Sequence, residues 1–170
     1  MFTSTDPHYF AWDNSWYDFQ GGCDQYAVKN SQIEIQIATR PRGRYSTITQ
    51  ISVMMLKTGE HFKIKSDDAG SPDNTISTEA SVSTVSGGYQ IDFDGVASFI
   101  RITGGSWGFS LQVQGHGSIF SNSLGMCGSW NYGGVLKKDL TPYEDARTDP
   151  FSWKGMLETF CSVLTGKYFC

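Results

Sequence analysis

The chain has 170 residues, of which 39% are hydrophobic, 14% aromatic and 18% charged, and its formal net charge is −4. This length suits one ordinary domain, and the aromatic-rich, charge-poor composition excludes disorder. The scattered basic residues exclude a nucleic-acid binder, and no apolar run approaches the roughly 18 residues of a membrane span. We therefore expect a single domain over residues 1–170, with no nucleic-acid partner and no membrane span.

The first strand patterns follow a Gly-Gly turn. Residues 24–28 alternate in the manner of a strand, with Gln25 and Ala27 on one face. Residues 32–37 alternate three isoleucines with Gln or Glu, which predicts one buried face and one solvated face. Because antiparallel sheets commonly have one face in water, this pattern favours an antiparallel sheet.

A hairpin is expected next. Residues 47–56 are β-branched and long enough for a central strand, and the Arg-rich turn at 40–44 suits a hairpin with 33–38. A short strand is predicted at 61–65. The turn formers that crowd residues 66–74 predict a surface loop rather than a linker between domains.

Four further strands are predicted at 79–85, 89–93, 98–103 and 107–114, each bounded by glycine turns. Evenly spaced short strands are typical of a β-sandwich or barrel, and we predict an all-β, antiparallel β-sandwich. The residues expected in its core are Ile33, Ile35, Ile37, Ile48, Ile51, Val53, Ile91, Phe93, Phe99 and Ile102.

The apolar period changes near the C-terminus. Apolar side chains recur at helical spacing between Trp153 and Leu164, and Asp149-Pro150 is a suitable start for a helix. The sequence thus predicts one short amphipathic helix in a Cys-containing extension of about 149–170.

The basic residues cluster only at Arg40, Arg42 and Arg44. A solvated hairpin turn explains this cluster most simply, and contact with a polyanion such as an acidic glycan is the alternative.

The four cysteines are Cys23, Cys127, Cys161 and Cys170. They are widely spaced and form no C-x-x-C pair of the kind that binds zinc or performs redox chemistry, so we expect disulfides. Four cysteines allow three pairings, and spacing alone does not choose among them.

Two motifs, about a hundred residues apart, resemble those of the von Willebrand factor type D domain. The opening motif runs Asp6-Pro7-His8-Tyr9, then Trp12-Asp13-Asn14, then residues 17–23. The closing motif is Leu124-Gly125-Met126-Cys127-Gly128-Ser129-Trp130-Asn131, followed by Asp139. The family occurs in multidomain extracellular proteins such as clotting-factor carriers, gel-forming mucins and vitellogenins. The resemblance therefore implies an extracellular location, either secreted or on a cell-surface ectodomain.

The resemblance also implies a disulfide pattern, in which Cys23 pairs with Cys161 and Cys127 pairs with Cys170. The chain departs from the family pattern at Leu124, which stands where the family has the first cysteine of the closing motif. The family partner of that cysteine is missing as well, so the departure leaves no orphan thiol.

A calcium site is the main chemistry that the resemblance implies, with oxygen ligands from Asp13, Asn131 and Asp139 and with Ser129 as a further candidate. Calcium favours such mixtures of carboxylate, amide, carbonyl and water oxygens. Lys138 stands where the family has another ligand. The alternative is that Asp13 and Asn131 only satisfy backbone N–H groups in turns.

Catalysis has little basis in the sequence. In some family members the bond that corresponds to Asp6-Pro7 breaks under mild acid, and His8 is the candidate general acid here. The alternative is that Pro7 only fixes the entry of the chain. The three histidines, including His61 and His116, are far apart in the sequence, and no nucleophile elbow occurs. We therefore predict no enzymatic or catalytic residue.

We expect a non-enzymatic adhesion or assembly module of a larger extracellular protein, which binds a protein or a glycan and is a candidate for homo-oligomerisation. One alternative is a stand-alone, calcium-dependent binder of carbohydrate or surfaces. A more remote one is an oxidative enzyme of the luciferase type, which is built on this domain family. The candidate contact residues are the exposed members among Trp12, Trp16, Trp107, Trp130 and Trp153.

Overall fold

A computed structural model describes residues 2–3, 8–10, 12, 16–18, 24–42, 45–67 and 71–126. In chain order, the strands and the helix in these ranges are β1 Phe2–Thr3, β2 His8–Phe10, β3 Trp16–Asp18, β4 Asp24–Lys29, β5 Ile33–Arg42, β6 Tyr45–Met55, β7 His61–Lys65, β8 Asp73–Asn74, β9 Ala80–Val85, β10 Gly88–Phe93, β11 Phe99–Gly105, β12 Gly108–Gln114 and α1 Gly117–Phe120.

The described strands form two antiparallel sheets that share one core. One sheet has the order β3-β2-β1-β12-β11-β10-β9, and the other has the order β4-β5-β6-β7-β8. Buried side chains from both sheets make a single hydrophobic cluster, and this confirms the predicted all-β, antiparallel sandwich. No helix in the part of the chain that the structure describes is long and apolar enough to cross a membrane.

The five-stranded sheet is built on the predicted hairpin. The isoleucines of β5 are at most 1% exposed, and Ile35 lies opposite Val53 of β6 in the antiparallel register. Both strands extend beyond the predicted limits, since the pairing continues to Arg42 and Tyr45. The Arg-rich segment is therefore partly the end of a strand rather than wholly a turn.

The seven-stranded sheet contributes the other wall of the core. One residue that was predicted to lie in this core is not buried. Phe99 is only half-buried, whereas its neighbour Ile100 is fully buried. The pairing of β10 with β11 sets Ile91 opposite Ile100, so the side chain of Ile100 points inward and that of Phe99 points outward. The Arg101 guanidinium lies 5.1 Å from the Phe99 ring centroid and covers that ring. The other nine predicted core residues are buried, as expected.

Two other segments differ from the sequence prediction. Residues 66–74 are not loop throughout, because Asp73–Asn74 pair with β7 as the short strand β8. In β4 the register shifts between Tyr26 and Val28, so Val28 is buried together with Ala27 instead of opposing it. A β-bulge of this kind brings two consecutive side chains to one face.

The helix predicted between Trp153 and Leu164 lies outside the described residues. The described helix, α1, follows β12 directly. His116 caps its first turn by accepting a hydrogen bond at Nδ1 from the Ser118 amide, at 3.3 Å. Phe120, at the end of this turn, is fully buried.

Candidate functional site

The opening motif packs against the segment that leads to the closing motif. Trp12 follows β2, and its ring centroid lies 5.8 Å from that of Phe120 at the end of α1. Phe120 in turn contacts Phe93 edge-on, with a centroid distance of 5.8 Å. Aromatic rings at such distances attract each other as well as burying apolar surface. The core thus holds Trp12 close to the helix that precedes the closing motif.

The start of the closing motif is fixed by hydrogen bonds to β4. The Lys29 amide donates to the Leu124 carbonyl at 2.7 Å, and the Leu124 amide donates back to Lys29 at 2.9 Å. Two residues later, the Met126 amide donates to the Tyr26 carbonyl at 2.8 Å. Residues 124–126 therefore lie along the outer edge of the five-stranded sheet, next to the strand that follows Cys23.

Asn30 joins the turn between β4 and β5 to α1. Its amide nitrogen donates to the Ile119 carbonyl at 2.7 Å, and its amide oxygen accepts from the backbone amides of Gln32 and Ile33 at 2.8 and 2.9 Å. The sequence offered only a weak signal for this role, an Asn in a short polar turn between two strands. We call this end of the sandwich, formed by Trp12, Phe120, Asn30 and residues 124–126, the joined end.

A charged cluster lies on the surface of the joined end. Lys29 forms an ion pair with Glu34 at 2.5 Å, and its ammonium lies 4.4 Å from the Tyr26 ring centroid. The hydrogen bond that the Lys29 ammonium donates to the Glu34 carboxylate raises the pKa of Lys29 above its ordinary value, against the opposing effect of burial. The ion pair keeps the amino group of Lys29 charged and holds its side chain in place on the outer face of β4.

One buried polar side chain in β4 stands out. Gln25 is 1% exposed, and neither end of its amide forms a hydrogen bond with any described residue. Buried amides normally have partners because leaving one unpaired costs about 1–3 kcal/mol. The register sets Gln25 opposite Ile37, so its amide faces the core.

The predicted ligand and disulfide residues lie outside the described residues: Asp13, Ser129, Asn131, Asp139, Cys23, Cys127, Cys161 and Cys170. Within the described ranges, no three His, Cys, Asp or Glu side chains group together as a metal would require. The calcium site and the disulfides therefore stay predictions. The Asp6-Pro7 bond is also outside the described residues, and His8 is half-buried in β2.

A second candidate region lies at the opposite end of the sandwich, where β5 ends at Arg42 beside the β11–β12 turn. A cleft of about 470 Å³ opens there between the end of β7, the β9–β10 turn and the β11–β12 turn. Sequence reasoning did not find it, because its walls come from turns that are far apart in the chain.

A polar groove adjoins the cleft. It is lined by Arg40, Arg42, Lys65 and Asp67, among others, and it shares Lys65 with the cleft. Arg40 forms an ion pair with Asp24 at 3.0 Å. Two of the arginines of the predicted basic cluster thus line one groove.

Trp107 lies beside this groove, in the β11–β12 turn. The Arg42 guanidinium lies 5.5 Å from the Trp107 ring centroid and donates to the Ser106 carbonyl at 3.4 Å. Trp107 nevertheless remains 78% exposed. Of the candidate contact tryptophans, it is the one that the structure describes as strongly exposed, whereas Trp12 is half-buried.

The chain matches no model of a known protein family, and no curated protein is significantly similar to it. Membership of the von Willebrand factor type D family therefore stays a prediction from the two motifs.

Proposed function

We propose that the chain is a non-enzymatic adhesion or assembly module of a larger secreted or cell-surface protein, stabilised by calcium and disulfides. The packing of Trp12 against Phe120 carries this proposal. Together with the hydrogen bonds of residues 124–126 to β4, it brings the described parts of both motifs to the joined end. Ligands and cysteines that belong to distant motifs need such an arrangement to act together.

Disulfides and bound ions of this kind stabilise the folded chain. A disulfide or an ion that links distant segments of a folded chain restricts the unfolded chain or binds only the native state. The donor set of Asp13, Asn131 and Asp139 combines two carboxylates with an amide, which matches the oxygen preference of calcium. Disulfides suit an extracellular module in particular, because they persist in oxidising surroundings.

The proposed contact with a protein or glycan partner involves Trp107 and Arg42. Tryptophan and arginine dominate the binding energy of many interfaces, and their cation–π contact presents both in one orientation. The 78% exposure of Trp107 supports this role, because so large an apolar ring on the surface gains from being covered.

Mass spectrometry of the protein produced under oxidising conditions, digested without reduction, tests the proposal. We expect two disulfides, Cys23 with Cys161 and Cys127 with Cys170. Replacing one partner, as in Cys23→Ser, should lower the free energy of unfolding by about 2–5 kcal/mol, the usual contribution of a native disulfide in a small secreted domain. Four free thiols in the native protein would remove the main support for an extracellular module.

A further inference from the structure

The cleft between the sheets has the size of a ligand site. Its volume of about 470 Å³ falls within the range of about 300–1,000 Å³ that is typical of small-molecule sites. It lies opposite the joined end: β5 starts beside Asn30 and ends at Arg42, which contacts the β11–β12 turn. A ligand in the cleft would therefore be far from Asn30 and the other described residues of the joined end.

The walls of the cleft are mainly apolar. Ile64 of the five-stranded sheet and Ile102 and Phe109 of the seven-stranded sheet line it, together with Val85 and Tyr89. The Tyr89 ring is held against Phe62, with a centroid distance of 5.5 Å. Such walls favour an apolar group, which is stabilised when its surface leaves water.

Two glycines of the turns that line the cleft have free space beside them. A Cβ atom placed on Gly87 or on Gly105 would meet no other atom within 4 Å, so the space beside both residues is empty. Both line the cleft. Their amides are therefore well placed to report on a bound ligand.

Lys65 is the only charged residue that lines the cleft, within the described part of the chain. Lys29 and Lys57 form ion pairs with Glu34 and Glu79, whereas no described carboxylate pairs with Lys65. Ile64 lies opposite Ile51 in the core, so the next residue, Lys65, leaves the end of β7 on the outer side and meets the cleft at its mouth. An ammonium there attracts an anionic group most strongly when its own charge is not already neutralised. The lining thus combines an apolar space with one available positive charge.

We propose that this cleft binds a small amphipathic carboxylate, with its acyl or aryl group between the sheets and its carboxylate at the Lys65 ammonium. Apolar walls and a single cation fit this class of ligand better than a neutral sugar or a cationic molecule. Arg42, which lines the adjoining groove, adds to the positive potential at the same side. The site goes beyond the proposed function and does not depend on calcium or on disulfides.

A titration of the ¹⁵N-labelled full chain followed by NMR, with octanoate and 4-phenylbutyrate as probes, tests the proposal. We expect saturable shifts centred on the amides of Gly87, Gly88, Gly104 and Gly105. Acetate, which lacks the apolar group, and octanamide, which lacks the charge, should each bind at least about tenfold more weakly, a difference of about 1.4 kcal/mol.

Two lysine variants separate the specific contact from a general effect of charge. Lys65→Gln should weaken octanoate binding about tenfold and leave octanamide binding unchanged. Lys63→Gln removes the same charge from the same strand at a residue that does not line the cleft, and octanoate should bind this variant as it binds the wild type. The melting temperatures of both variants check that each is folded.

Three results would overturn the proposal. The first is the absence of shifts at the cleft glycines with either probe. The second is an equal loss of octanoate affinity in Lys63→Gln and Lys65→Gln, which would show that only net charge matters. The third is binding at the same amides by a peptide with an apolar C-terminal residue but not by octanoate, which would assign the cleft to a peptide. None of these results bears on the disulfides, so the two proposals fail independently.

Discussion

At the scale of single residues, Glu60 holds the chain where it passes from one sheet to the other. Residues 75–79 connect β8 of the five-stranded sheet with β9 of the seven-stranded sheet. The hydroxyls of Thr78 and Ser77 donate to the Glu60 carboxylate at 2.7 and 2.9 Å. The Ser77 amide adds a third hydrogen bond at 3.2 Å. The half-buried Glu60 carboxylate thus holds Ser77 and Thr78 in the middle of this connection.

These hydrogen bonds predict a pH effect. The Thr78 hydroxyl, followed by the Ser77 and Thr58 groups, holds the pKa of Glu60 below its ordinary value. Because the folded-state pKa is the lower one, the stabilisation is complete above the unfolded-state pKa and is lost as the pH falls through the folded-state pKa. Thr78→Val should raise the pKa of Glu60, as measured by NMR titration of its carboxyl carbon.

Thr84→Val is the matched control for this titration. Thr84 lies on the following strand, β9, and forms no hydrogen bond with Glu60. It should leave the titration of Glu60 unchanged. An unaltered Glu60 pKa in Thr78→Val would contradict the assigned cause.

At the scale of elements, short segments complete the edges of both sheets. The strand β2 of the opening motif pairs with β1, and β1 pairs with β12 of the seven-stranded sheet. Residues 124–126 of the closing motif lie beside β4 of the other sheet. Each motif therefore covers backbone groups that would otherwise form an open edge.

Gly125 is the position where this edge contact is tightest. It has a φ of +141°, and a Cβ atom there would lie 2.6 Å from the Ala27 carbonyl oxygen and 2.7 Å from that of Tyr26. Gly125→Ala should lower the free energy of unfolding in urea by about 1–3 kcal/mol, through backbone strain and overpacking. Gly117→Ala, whose Cβ would lie 3.5 Å from the Ser121 hydroxyl, should cost much less. Equal stabilities for the two variants would show that residues 124–126 are not held against β4.

The sequence predicted strands well where one face is apolar and the other polar. Ile33, Ile35 and Ile37 are the best case, because their spacing alone determines which face is buried. The prediction that Phe99 is buried was wrong because Phe99 is adjacent to another apolar residue, Ile100. With two apolar neighbours, the buried face depends on pairing with β10, which the local pattern does not contain. The two-residue strand β8 is too short to show any period.

The candidate sites were less predictable than the strands. The calcium ligands predicted from both motifs implied that the motifs lie close together, but Asn30 and Phe120, which hold the joined end together, belong to neither motif. No sequence pattern indicated the cleft, because Ile64 and Ile102 come close together only when the two sheets pack. Sites that depend on packing between distant turns need the tertiary structure.

At the scale of the whole molecule, the two ends of the sandwich serve different proposed purposes. The joined end holds Trp12 of the opening motif and residues 124–126 of the closing motif, and the opposite end holds the cleft, the polar groove and Trp107. Separating a stabilising site from a binding surface lets one vary without disturbing the other. We therefore expect calcium to raise the stability of the fold and to leave the cleft unchanged.

The central claim is that the joined end belongs to a calcium-stabilised module, and thermal melting with and without a chelator tests it most directly. If Asp13, Asn131 and Asp139 share one ion, calcium at a hundredfold excess over Kd adds about 2.7 kcal/mol to the free energy of unfolding, and chelation lowers the melting temperature by several degrees. The Asp139→Ala variant should melt at the temperature of the chelated wild type, and added calcium should not change that temperature. Asp67 is exposed and distant from both motifs in the sequence, so the Asp67→Ala variant should respond to calcium as the wild type does. Identical melting of the wild type with calcium and with chelator, together with no heat of calcium binding at millimolar concentration, would contradict the claim.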